Sequence, residues 1–315
     1  MKHIFVVNTY AGKAKAKEEL ERLLSDFEAE YEIYYTKGPK DATVFARERC
    51  DTCPDETLRF YACGGDGTAK EVAEGILGHD NAELTIVPLG SGNDFVKYYG
   101  GADKFFDLNK LKDAPAEHVD IIKINGEYCL NVCNFGFESY VAKTMHEVRH
   151  KKIIGGKMSY TTGIVKALMF AMKNKADIYV DGEKIIDGSY LLCTVANGRY
   201  EGGGYMCAPR ALDNDGILEI CAVKPMSRFS IVRLINVYKV GAHLEDPRFK
   251  DIIVYRQGKC VEVKTKEPMT IALDGELVET RDFKCEIIPK AIKFAALSVE
   301  GAREQEKILE SASAK

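Results

Sequence analysis

Apolar residues recur along the first part of the chain in short runs, with helically spaced stretches between them. His3–Asn8 predicts a strand. Lys13–Ala29 predicts a helix, because Leu20, Leu23, Leu24 and Phe27 fall on one face of a 3.6-residue period. Tyr31–Thr36 and Asp41–Cys50 repeat the pair, the helix ending near Pro54. Leu58–Cys63 then leads into a helix over Thr68–Leu77, and Leu84–Leu89 makes a fourth strand. Strand and helix in alternation predict a parallel sheet covered by helices, with ligands at the carboxyl ends of the strands.

After about residue 110 the spacing changes. His118–Asn125, Glu127–Asn134, Ala176–Val180, Ile185–Asn197, Ile217–Val223, Ile252–Arg256, Cys260–Thr265, Met269–Leu273 and Phe283–Ile288 predict strands. Asn125-Gly126, Asp181-Gly182, Asp187-Gly188 and Asp274-Gly275 mark tight turns, since their residues tolerate positive φ. Helical spacing returns over Tyr140–His150, Ser159–Lys173 and Ser227–Val240. The expected architecture is an α/β N-terminal domain with a parallel sheet over residues 1–112, then a mostly antiparallel, β-rich second domain over 113–290. Residues 291–315 are expected to form a C-terminal tail able to pack back on the first domain. Its final part, rich in Ala, Glu, Ser and Lys, reads as a solvated helix or frayed end.

Composition narrows the function classes. With 44 Lys and Arg against 48 Asp and Glu in 315 residues, the formal charge of −4 offers no overall attraction to nucleic acid or anionic lipid. No apolar run approaches the length of a membrane span, and the first residues lack the apolar region of a secretory signal. The ten cysteines are therefore expected to be reduced thiols of a cytoplasmic protein, mostly buried in apolar strands. Cys50-Asp51-Thr52-Cys53 has no matching second pair, so a zinc site is not expected.

The candidate chemistry sits where strands end. Gly64-Gly65-Asp66-Gly67-Thr68 follows the third strand and opens a helix, which favours an anion. An Asp among the glycines becomes useful when Mg²⁺ or water mediates. Pro88-Leu89-Gly90-Ser91-Gly92-Asn93-Asp94 follows the fourth strand, and Asn8-Thr9-Tyr10-Ala11-Gly12 the first. Three such turns along one edge of a parallel sheet could line one nucleotide site. Neither a Walker A nor a Rossmann spacing is present.

These motifs resemble the catalytic domain of the diacylglycerol kinase and sphingosine kinase superfamily, most closely its soluble bacterial lipid kinases. The likeness continues in order through Asn197-Gly198, Gly202-Gly203-Gly204, Pro209, Leu212-Asp213-Asn214-Asp215-Gly216 and Asp274-Gly275-Glu276. NAD kinases share the GGDG turn, and the Pro-x-Gly-x-x-Asn-Asp run favours the lipid branch. The resemblance implies an ATP-dependent lipid kinase with Mg²⁺, acting on diacylglycerol or a similar lipid at a membrane surface. The competing readings are a soluble-metabolite kinase of the NAD kinase type and a non-catalytic nucleotide or lipid sensor.

The resemblance also assigns residues. Nucleotide contacts would come from Asn8, Thr9, Tyr10, Ala11 and Gly12, from Thr36, from Gly64, Gly65, Asp66, Gly67, Thr68, Ala69, Lys70 and Glu71, and from Ser91. The first turn lacks the family's usual Asn-Pro and following Ser, and Ser91 stands where Thr is commoner. A structural Mg²⁺ would lie near Asp215 and the carbonyls of Leu212 and Ile217, while Asp120 and Asp66 would order water around metal between the domains. The Asp213–Gly216 turn has no following Glu at calcium-loop distance. Glu276 would be the general base, with Asp66 as its acidic catalytic partner. Without a membrane span, the protein would meet lipid peripherally on the inner membrane face. The basic run His146–Lys157 and the Met-rich stretch Met158–Met172 would provide the contact. A homodimer is allowed, and no nucleic acid partner is expected.

Overall fold

The computed structural model describes residues 1–149 and 157–297. The central part of the basic run and the tail from residue 298 onwards lie outside the described residues.

Strand β1 (Lys2–Val7) pairs in parallel with β2 (Tyr31–Tyr35) and β3 (Leu58–Gly64), and β3 with β4 (Ala82–Pro88). Helices α1 (Ala16–Leu24), α2 (Asp41–Thr52) and α3 (Asp66–Ile76) connect them. Every residue of β3 is buried, so its apolar run is unbroken where a half-exposed strand would alternate. Arg59 is the exception within β3. Its guanidinium pairs with Glu83 at 2.6 Å and donates to the carbonyls of Leu111 (2.5 Å) and Ala114 (2.8 Å), anchoring the end of α4 (Leu108–Lys112). The helix expected over Lys13–Ala29 is shorter. A 3-10 turn over Ala11–Ala14 precedes α1, and the chain leaves the helix at Leu24 so that the Phe27 ring can pack edge-on against Phe5, with centroids 5.5 Å apart.

The second half runs β5 (Ala116–Ile124), β6 (Glu127–Cys129), β7 (Val132–Gly136), α5 (Phe137–Arg149), α6 (Lys157–Phe170), β8 (Asn174–Lys175), β9 (Asp177–Val180), β10 (Glu183–Ile186), β11 (Ser189–Tyr190) and β12 (Leu192–Ala196). It continues through β13 (Tyr200–Glu201), β14 (Tyr205–Met206), β15 (Leu218–Val223), α7 (Arg228–Lys239), β16 (Ile253–Gly258), β17 (Cys260–Lys264), β18 (Met269–Leu273), β19 (Glu276–Thr280) and β20 (Phe283–Ala295). One antiparallel sheet has the order β16-β15-β12-β7-β18-β19. It faces β5, β9, β17 and the first half of β20 across a core containing Phe135, Val195, Ile220, Val261 and Phe283. Its other face is covered by α5, α6 and α7. In β15, Leu218, Ile220 and Ala222 point into the sandwich, while Cys221 and Val223 point to the helices. Period-two alternation is preserved, yet both sides are apolar because both are covered.

Strand β20 joins the two halves. It runs antiparallel to β17 and β5, passes a register shift between Ile288 and Ile292 where Lys290 has φ 53°, and then lies parallel to β4 through Lys293 and Phe294. Residues 291–295 are thus strand. Two long strands read from sequence are divided. Glu127–Asn134 becomes β6 and β7, because the amides of Leu130, Asn131 and Val132 bond the Asp274 carboxylate. Ile185–Asn197 becomes β10, β11 and β12, broken at Gly188, φ 79°. All ten cysteines are free, eight of them buried.

Candidate active site

The first, third and fourth strands of the parallel sheet end side by side, and their turns touch through glycine. A Cβ on Gly90 would lie 2.3 Å from the Gly65 Cα, and one on Gly12 (φ 57°) would lie 2.7 Å from the Leu89 carbonyl oxygen. Only a residue without a side chain permits this approach. Asn8 Nδ2 donates to Thr68 Oγ1 at 3.2 Å, joining the first and second turns. Thr36, just after β2, hydrogen-bonds the Val7 carbonyl and stands beside the same edge. Asn93, at φ 49°, ties the third turn together by donating to the carbonyls of Pro88 (3.1 Å) and Gly90 (3.0 Å). Ser91 is exposed at its tip.

Helix α3 starts at this junction with no side-chain cap. The Thr68 and Ala69 amides turn back to the Gly65 carbonyl. Those of Asp66 and Gly67, in the first turn, have no intrahelical acceptor and carry the positive end of the helix dipole. A phosphate group fits this uncapped start. Asp66 turns sideways, its Oδ1 accepting the amides of Asp94 (2.7 Å) and Phe95 (3.2 Å). Burial, then the nearby Asp94 carboxylate, push the Asp66 carboxyl up to about 7 against those amides.

Asp94 is the joint between the halves. It pairs with Lys97 and accepts the Gly203 amide at 2.9 Å. Gly202, Gly203 and Gly204 all have positive φ, which bends the turn between β13 and β14 towards Asp94. Behind that turn, Glu201 accepts from Asn134 and shares a hydrogen bond with Glu138, whose Oε2 accepts from Thr194 at 3.0 Å. Burial raises both carboxyls, and the charge of Glu138 lifts Glu201 further.

From the other side comes the hairpin of β18 and β19. Asp274 (φ 50°) and Gly275 (φ 86°) form its turn. The Asp274 carboxylate accepts the amides of Leu130 (2.7 Å), Asn131 (3.0 Å) and Val132 (2.9 Å), and its own amide donates to the Val132 carbonyl at 3.0 Å. This latch presents Glu276 to the start of α3. Glu276 Oε2 accepts from Lys70 Nζ at 2.5 Å, and Oε1 would stand 3.2 Å from a Cβ on Gly67. Lys70 is almost fully buried while Glu276 is half exposed. Burial opposes the Lys70 ammonium, but the Glu276 hydrogen bond and charge outweigh it and raise its pKa. Glu71 faces away, accepting the Lys40 amide at 3.0 Å.

The remaining carboxylates from the sequence reading gather elsewhere. Asp120 accepts the amides of Gly216 (2.6 Å) and Lys290 (2.7 Å), so both its oxygens hold backbone. Asp213 bonds Tyr99 and is pushed up to about 7, chiefly by burial. Asp215 is exposed on the same turn, with Oδ1 accepting the Ile217 amide at 2.9 Å. Among the described residues no three His, Cys, Asp or Glu side chains converge as metal ligands. The donors at this turn are hard oxygens, which suit a Mg²⁺ that keeps much of its water. Asp94, Lys97, Gly203, Asp274, Glu138 and Glu201 were not singled out as site residues. Asp94 and Asp274 lie inside quoted motifs, but a turn residue gives no sign from sequence that its carboxylate bridges distant segments.

A diacylglycerol kinase catalytic domain matches residues 2–124, and a YegS C-terminal NAD kinase beta sandwich-like domain matches residues 131–296. A relative from Pseudomonas aeruginosa named Probable lipid kinase YegS-like is 31% identical, covering 74% of this chain and 75% of its own. A diacylglycerol kinase of Bacillus subtilis is 29% identical over 86% of this chain and 88% of its own. The crystal structure of a diacylglycerol kinase from Bacillus anthracis shares the fold, with a TM-score of 0.68 at 22% identity over 96% of this chain and 98% of that one. No helix among the described residues is long and apolar enough to cross a membrane. Matched along nearly its whole length and in the same order, this chain belongs to the YegS-like lipid kinase family.

Proposed function

We propose that the protein transfers the γ-phosphoryl group of ATP to the free hydroxyl of a lipid, with diacylglycerol as the acceptor and phosphatidic acid as the product. The observation that carries this reading is the Lys70–Glu276 pair, which sets a half-exposed carboxylate from the second half of the chain against the phosphate-accepting start of α3. ATP supplies the phosphoryl group and Mg²⁺ neutralises its charge when bound. The amides of Asp66 and Gly67, with Asn8 and Thr68 beside them, hold the phosphate chain. Lys70 fixes the direction of Glu276 through their hydrogen bond. Glu276 accepts the proton of the lipid hydroxyl as its oxygen bonds to phosphorus, and ADP leaves. A positioned base of this kind contributes on the order of 10²–10⁴-fold, and positioning with charge neutralisation supplies most of the rest. Asp66 organises the third turn through the Asp94 and Phe95 amides. Asp215, with the carbonyls of Leu212 and Ile217, would hold a structural Mg²⁺ away from the transfer site.

In this reading residues 1–112 bind nucleotide and residues 113–290 bind lipid, in a cytoplasmic protein that visits the membrane from the inner face. Phosphate transfer from labelled ATP to a panel of hydroxyl lipids in detergent micelles tests it. Diacylglycerol should be the best acceptor, and Glu276→Ala should abolish turnover while ATP still binds. Formation of NADP from NAD, or no transfer to any lipid, would refute it.

A further inference from the structure

Helices α6 and α7 present a surface that no part of the described chain covers. Their inner faces pack on the antiparallel sheet through Ala167 and Ala171 of α6 and its following turn, and through Ile231 and Leu234 of α7. The Arg228 guanidinium of α7 donates to the Leu168 carbonyl of α6 at 2.7 Å, so the exposed C-terminal end of one helix adjoins the N-terminal end of the other. Outward lie Met169, Phe170 (69% exposed), Phe229 (66% exposed) and Val232. Large apolar residues gathered on an outer face mark an interaction surface. Within the two helices the charge has one sign. The sequences of α6 and α7 contain five Lys and Arg residues and no Asp or Glu, in a chain that holds 48 acidic residues. Arg233 lies over the Phe229 ring at 4.3 Å, and Lys173 is exposed just beyond α6.

We propose that the outer faces of α6 and α7 form the surface by which this protein lies on an anionic lipid bilayer. Phe170 and Phe229 enter the headgroup boundary, and Arg233 and Lys173 meet the lipid phosphates. Exposed aromatic side chains on helices whose only charges are basic have the chemistry of helices that lie in an interface. Neither helix is long enough to cross. The inference rests on the lipid kinase reading, because an enzyme whose acceptor is anchored in a bilayer must approach its surface, and it names where that contact is made.

The test is co-sedimentation with vesicles of phosphatidylglycerol and phosphatidylcholine, against phosphatidylcholine alone. Wild type should favour the anionic vesicles. The exposed double variant Phe170→Asp/Phe229→Asp should keep its fold, read by circular dichroism and Tm, and lose at least about tenfold in binding. Arg233→Gln/Lys173→Gln should weaken binding to anionic vesicles by about fivefold per residue and leave phosphatidylcholine binding unchanged. Turnover of the Asp variant should persist on dispersed short-chain diacylglycerol and fall on vesicle-embedded lipid. Equal binding of wild type to both vesicles, or wild-type binding by the Asp variant, overturns the proposal. So does a lipid-free dimer that the Asp variant splits while vesicle binding is unchanged. If vesicles bind as expected but no hydroxyl lipid is phosphorylated, the surface stands and the kinase reading falls.

Discussion

Replacing Asp274 by asparagine tests how the second half of the chain holds Glu276 in place, provided the backbone itself is undisturbed, and it is. Asp274 sits at φ 50°, a left-handed conformation that Asn also tolerates, so the change adds no backbone strain. Three amides converge on the native carboxylate. Asparagine keeps one oxygen, able to serve the Asn131 and Val132 amides, and turns an NH₂ towards the Leu130 amide. One hydrogen bond to a charged acceptor is lost, at about 1.5–3 kcal/mol, and a buried donor is left without a partner, at about 1–3 kcal/mol. Because the two penalties overlap, the expected destabilisation is about 2–4 kcal/mol. Asp274→Ala would strand all three amides and consume much of a typical folding free energy of about 5–15 kcal/mol, so asparagine is the informative variant. Urea unfolding measures the stability. Steady-state kinetics should then show kcat reduced by about tenfold or more with the KM for ATP unchanged, because Glu276 moves while the nucleotide turns do not. A loss under about 0.5 kcal/mol together with wild-type kcat would refute the role of Asp274 as the latch of this hairpin.

Glu276→Gln should lower kcat by about 10²–10⁴-fold and leave ATP affinity, read by calorimetry, within about twofold of wild type. Gly90→Ala should cost about 1–3 kcal/mol in thermal or urea unfolding, since its Cβ would meet the Gly65 backbone at 2.3 Å; Gly38→Ala, with open space around it, is the control and should change little. Buried His243, held down to about 4 by burial, is neutral in the fold. Its contribution is therefore complete above its ordinary value of 6.5 and is lost as pH falls towards 4, by about 3 kcal/mol in all. His243→Leu should flatten the fall in stability between those pH values. The Glu138–Glu201 pair works in the opposite direction. Both carboxyls are raised, so their stabilisation is present in acid and is lost as pH rises through the raised folded values. Glu201→Gln should accordingly narrow the difference in Tm between pH 6 and pH 9, and an unchanged difference would dismiss the raised carboxyl of Glu201 as its cause.

The alternation of the first half, the antiparallel strands of the second and the three glycine turns were legible in the chain, because each follows from local rules, whereas α4, β13, β14 and β19 were not. A strand covered on both faces is apolar wherever no partner compensates a charge, as in β3 apart from Arg59 with its Glu83 partner, and a turn that brings two backbones into contact must be glycine, as at Gly65 and Gly90. Asp-Gly and Asn-Gly likewise announce positive φ, found at both residues in three of the four turns named from sequence. Only the tertiary structure decided how these pieces meet. Period and propensity run along the chain, whereas a carboxylate chooses amides by position in space. Asp274 breaks the strand expected over Glu127–Asn134 by drawing off its amides, Asp94 takes the Gly203 amide across 109 residues, and Asp120 binds Gly216 and Lys290 backbone. The same holds for Lys70, one helical residue among many until it becomes the buried partner of Glu276, 206 residues away.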